Sequence, residues 1–135
     1  MMVKTARAVI VEDGKVLVFF RRRIRDGKEV KYYALPGGHL EDGESFEDAV
    51  IREVKEEMNI DVKIIDYVGM NNDMNCEERF YHCEIIGGEI KFGGEELERC
   101  CDSNYYEIRW VDVDDIDEDM LRVLDLVRRV VGCND

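Results

Sequence analysis

Four carboxylates and one arginine recur at fixed offsets between Gly38 and Ile60, in the run GHLEDGESFEDAVIREVKEEMNI: Glu44, Arg52, Glu53, Glu56 and Glu57. Acidic oxygens gathered on one short segment suit a hard divalent cation, Mg²⁺, Mn²⁺ or Ca²⁺, over zinc. Because Mg²⁺ shares its coordination between a few carboxylates, water and phosphate oxygens, such a site points to phosphate esters or anhydrides. Gly37 and Gly38 follow Pro36 directly, and without side chains they let a backbone carbonyl approach the ion as a further ligand. Arg52 and Glu44 can pair, tying the loop over 39–44 to the segment that bears the glutamates.

A helix must position these groups. Ser45 can cap it, Asp48 stands three residues on, and no Pro or Gly interrupts Phe46 to Met58. At about 100° per residue, Phe46, Val50, Val54 and Met58 form one apolar stripe, with Glu53 and Glu57 beside it. The bland alternative is a solvated acidic face. Against it, unpaired carboxylates should not border a buried stripe. Three of them roughly 5 Å apart also repel by about 3 kcal/mol per pair at an effective dielectric near 20, a penalty that a cation reverses.

On these residues the segment resembles the Nudix box of the Nudix (MutT-like) hydrolases. It matches at every defining position but one, Asn59 standing where the family usually has Gly; Asn best tolerates the left-handed conformation wanted at a helix end. The resemblance implies an α/β/α sandwich with a mixed β-sheet between helices, formed by a single domain over 1–135 with its box at 38–60. It implies hydrolysis of a nucleoside diphosphate linked to another moiety, with Mg²⁺ as cofactor and Mn²⁺ as a substitute. The implied metal ligands are Gly37, Glu53, Glu56 and Glu57, with Gly38, Glu44 and Arg52 as support. Glu53 is ligand or general base, and a loop carboxylate among Glu95, Glu96 and Glu98, Glu98 first, is the alternative base.

The cluster Arg21-Arg22-Arg23, ending an apparent strand, supplies the basic counterpart. The resemblance assigns substrate phosphate to Arg23 or Arg21, which share a face by alternation, whereas Arg22 takes the other. Features of several substrate classes of the family are absent: the proline some way after the box, the tyrosine beyond it and the longer arrays of the dinucleotide enzymes. What remains is a MutT-like hydrolase of a normal or oxidised nucleoside triphosphate. Two other readings are a non-catalytic Nudix domain that senses a nucleotide or a partner, and an acidic calcium-binding structural domain. Base recognition has several candidates, Asn71, Asn72, Asn75, Asn104, Tyr32, Tyr33 and Phe80, without a choice among them. His39 and His82 read as strand-end residues.

The rest of the chain reads as strands over about 6–11, 16–20, 61–68, 78–86, 89–92 and 105–111, with Gly87-Gly88 as a hairpin turn and a last helix over 117–131. With 135 residues, 45% of them hydrophobic, the chain can bury a real core. The net charge of −13 argues against a nucleic-acid polymer as partner, which needs an extended basic face. It leaves room for a small nucleotide met by metal and a local basic cluster. The five cysteines lack any framework spacing and read as reduced thiols. With no leader or membrane-length segment, the expectation is a cytoplasmic enzyme, for which a homodimer is compatible.

Overall fold

In the computed structural model, residues 2–73, 75–91, 101, 104–121 and 123–134 are described. The elements run β1 (Val3–Glu12), β2 (Lys15–Arg25), β3 (Lys28–Ala34), β4 (Gly37–His39), α1 (Phe46–Met58), β5 (Ile60–Asp73), β6 (Cys76–Gly88), β7 (Asn104–Asp112), a 3₁₀ turn (Val113–Asp115) and α2 (Leu124–Asn134). The sheet has the order β3-β2-β1-β6-β5, with β4 added to β1 and β7 to β2. It is mixed because β1 pairs with β6 in parallel while the other pairings are antiparallel.

Alternation along the central strands builds two cores. Ala6, Ala8 and Ile10 of β1, with Leu17 and Phe19 of β2, pack against Phe46, Ala49, Val50, Val54 and Met58 of α1. The intervening Val9, Val16 and Val18 face the other way, onto Leu124, Val127 and Val130 of α2. Both faces of the sheet are therefore covered, and the expected layering of helix, sheet and helix is what the chain forms. No helix among the described residues is long and apolar enough to cross a membrane.

Helix α1 starts and stops where its residues dictate. Ser45 Oγ accepts from the Asp48 N–H at 3.1 Å. At the other end Asn59 adopts φ 61, ψ 30, and its N–H reaches the Lys55 carbonyl. Its left-handed geometry explains why Asn serves in place of Gly.

Elsewhere the strands differ from the sequence expectation. β3 has no signal in the sequence, since its exposed, charged residues hide the alternation; the Asp26-Gly27 turn, φ 53 and 76, folds it back onto β2. Gly37 and Gly38 belong to a short strand on β1 that ends at His39. Gly87-Gly88 is no hairpin turn: β6 runs through it, paired to Asp61 and Ile60. A Cβ on Gly88 would stand 2.5 Å from the Asn59 carbonyl oxygen, so glycine there permits close strand approach. Residues 89–91 form no strand, and residue 92 lies outside the described residues. The last helix begins at Leu124, because 117–121 instead turn back to give the Met120 carbonyl to the Tyr33 N–H.

Candidate active site

Arg52 is the hub of the acidic segment. Its Nε and Nη2 donate to the two oxygens of Glu44 at 2.8 and 2.9 Å, and Nη2 also reaches the His39 carbonyl at 3.2 Å. Glu44 accepts a further bond from the Glu41 N–H. The Arg52 guanidinium, with that backbone donor, holds the Glu44 carboxyl down at about 2, and the same pair raises the already high pKa of Arg52. The loop over 39–44 is thus fastened to the middle of α1.

Arg52 Nη1 bridges Glu53 and Glu56 at 3.1 and 3.2 Å. Glu57, one turn beyond Glu53, is buried with 7% of its surface exposed and accepts from the Gly37 N–H at 2.8 Å. Gly38 lies directly under Glu53: a Cβ there would come within 2.7 to 2.9 Å of the Glu53 carboxyl group. At Gly37, φ +143, a Cβ would stand 2.0 Å from the Ala6 carbonyl oxygen. Glycine is therefore required at Gly37 by the backbone of β1, whereas at Gly38 the close neighbour is the end of a side chain.

These residues meet the demands of a hard cation in donor type: the Glu53 carboxylate takes up the space that a Cβ at Gly38 would fill, and Glu56 and Glu57 stand on the same helix. Among the described residues, no three His, Cys, Asp or Glu side chains are arranged as a closed metal-holding group. Arg52 Nη1 occupies part of the acidic field, so an ion at Glu53 and Glu56 would take over the role that the guanidinium plays there.

A cleft of about 670 Å³ is lined by Arg7, Arg21, Tyr32, Tyr33, Ala34, Leu35, Glu78, Phe80, residues 118–121 and Val123; none of the α1 glutamates lines it, and Arg7, which donates to the Gly37 carbonyl, connects it to β4. Arg21, not Arg23, lines it. The Arg21 guanidinium packs over the Tyr106 and Tyr32 rings, 4.4 and 5.4 Å from their centroids, and its buried Nε has no hydrogen-bond partner among the described residues. Arg23 sits beyond it, between Val30 and Asn104 in the sheet. Arg22, on the opposite face, stands 3.8 Å from Glu29. Of the base-recognition candidates, Tyr32, Tyr33 and Phe80 border the cleft. Asn71 and Asn72 pair with Glu78 and Glu77 along β5–β6, and Asn75 gives its carbonyl to the Val3 N–H. Glu95, Glu96 and Glu98 lie outside the described residues.

Sequence reading missed Arg7 and Glu78. Arg7 donates from Nε to Glu78 at 3.1 Å and from Nη1 to the carbonyls of Leu35 and Gly37 at 3.1 and 3.2 Å. It was legible only as a lone charge in the apolar run Ala6 to Ile10, while its partner stands 71 residues away. Among the cysteines, Cys76 and Cys83 are free thiols; burial pushes the Cys83 thiol up to about 12, which leaves it inert.

A family model described as NUDIX domain matches residues 2–129. An ADP-ribose pyrophosphatase of Methanocaldococcus jannaschii is 32% identical over 96 residues, 67% of this chain and 55% of that protein. An NAD-capped RNA hydrolase NudC of Pseudomonas fluorescens is 36% identical over 84 residues, 62% of this chain and 28% of that protein. These alignments span about half or less of those curated relatives. Among solved structures, a MutT NUDIX hydrolase from Burkholderia pseudomallei superposes with a TM-score of 0.74 at 20% identity, covering 96% of this chain and 97% of that one, which shows the shared fold.

Proposed function

The chain belongs to the NUDIX family, and from that premise we propose that it hydrolyses a phosphoanhydride bond in a nucleoside diphosphate linked to another moiety, with Mg²⁺ as its metal. The observation that carries this reading is the placement of Glu53, Glu56 and Glu57 on one helix, with Arg52 joining Glu44, Glu53 and Glu56, and with Glu57 accepting from the Gly37 N–H. A bound Mg²⁺ supplies charge neutralisation at phosphate oxygens and a more acidic water. Glu56, Glu57 and the Gly37 carbonyl are its ligands in this proposal. Glu53 is a further ligand, or the base that takes the proton of the attacking water as oxygen joins phosphorus and the anhydride P–O bond breaks.

Arg21 is the phosphate-binding residue we favour, because its guanidinium borders the cleft, whereas Arg23 sits further along β2. The first substrate class is a nucleoside triphosphate, normal or oxidised, cleaved to the monophosphate and pyrophosphate. A second reading, ADP-ribose, is favoured by the archaeal relative. The net charge of −13 supports a small nucleotide over capped RNA.

Incubating the protein with Mg²⁺ and a panel of nucleoside triphosphates, 8-oxo-dGTP, ADP-ribose and NADH, then resolving the products, tests both. Nucleoside monophosphate with pyrophosphate supports the first reading, and AMP with ribose 5-phosphate the second. Nucleotide binding without any turnover would instead identify a sensor.

A further inference from the structure

We propose that Arg7, locked in place by Glu78, is a positioning residue that sets the Gly37 peptide and, through it, the Glu57 carboxylate. The inference rests on the proposed metal site only for its catalytic consequence. Gly37 is gripped at both ends of its residue: its N–H is bound by Glu57 Oε1 at 2.8 Å and its carbonyl by Arg7 Nη1 at 3.2 Å. The same Nη1 holds the Leu35 carbonyl, so one nitrogen fixes both sides of Pro36. The β1–β4 register places Arg7 opposite Gly37.

A guanidinium is suited to this task because its planar fork serves three acceptors in fixed directions. Its charge would oppose a cation at the Gly37 carbonyl, and Glu78, with 5% of its surface exposed, offsets that charge at 3.1 Å. Arg7 and Glu78 both line the cleft, so the unbroken series Glu78, Arg7, Gly37, Glu57 joins the cleft to α1. A pair that served stability alone would not need to end on the peptide beside the metal helix.

The test compares wild type with Arg7→Lys, Glu78→Gln and the double variant Arg7→Met with Glu78→Met, which removes both charges together. Three quantities are read: Mn²⁺ affinity from the free-ion EPR signal, hydrogen exchange of the Gly37 amide by NMR, and kcat and KM separately. The expected result in the folded variants is Mn²⁺ affinity lower by about tenfold or more, as loss of a partner behind a metal ligand typically gives. Gly37 exchange should quicken and kcat should fall more than KM rises. Wild-type exchange at Gly37 in these variants would overturn the proposal, as would unchanged Mn²⁺ affinity with a higher KM, which would make Arg7 a substrate contact. Should either single variant fail to fold, the double variant decides on the same criteria. A wild type that binds no Mn²⁺ would sink the metal reading of the site, and the Gly37 exchange rate would still decide the role of Arg7.

Discussion

Glu44 and Arg52 show how much a single ion pair can organise when its members are eight residues apart and share a helix and the loop before it. Their two-pronged contact, at 2.8 and 2.9 Å, holds the Glu44 carboxyl at about 2, against an ordinary 4.5. A carboxyl depressed on folding contributes stability above its unfolded pKa, and that contribution fades as pH falls from about 4.5 toward about 2. Wild type should therefore melt above Glu44→Gln near pH 7, with the gap narrowing below about pH 4.5 and closing only toward about pH 2. A gap that stays constant across that range would mean that the Glu44 charge does not brace the fold. This pair, with Glu53 and Glu56 beside it, is legible in sequence because Arg52 meets each of them within one turn or one short loop; only Glu57 reaches further, to the Gly37 N–H. Arg7 and Glu78 are not legible there, since only the parallel pairing of β1 with β6 brings them together.

The two glycines of β4 make opposite demands on the strand. A side chain at Gly37 would strike backbone, the Ala6 carbonyl oxygen at 2.0 Å, and would also need φ +143. At Gly38 the obstacle is the end of the Glu53 side chain, which can move aside. Gly37→Ala should thus lower the melting temperature sharply, whereas Gly38→Ala should stay folded but displace Glu53 and lose activity. Equal melting temperatures for the two, measured by calorimetry, would refute this division. Elements with strong local signals, α1 with its caps and the strands β1 and β2, are legible in the sequence. β3 is not, because a solvent-facing strand of charged residues carries no hydrophobic period, and Gly87-Gly88 misleads because a glycine pair that permits close strand approach looks like one that makes a turn.

The fold as a layered arrangement places the acidic helix and an arginine-bordered cleft on a chain whose net charge is −13. Residues 1–35 carry nine Lys/Arg against four Asp/Glu, a local excess of five positive charges, and β1 and β2 bring Arg7 and Arg21 from that stretch to the cleft. An anionic nucleotide can thus be received by a protein that would repel a polyanion over most of its surface. Whether the α1 carboxylates work through a divalent ion on a phosphoanhydride is decided by the Mg²⁺-dependent turnover of Glu57→Gln beside wild type, on the best substrate of the panel, with folding checked by circular dichroism. Gln keeps the shape and an oxygen for the Gly37 N–H while removing the charge. The variant should fold and its turnover should fall by about two orders of magnitude or more, as loss of a charged metal ligand produces. Turnover within about twofold of wild type, or wild-type turnover indifferent to chelation of the metal, would contradict that role of the carboxylates.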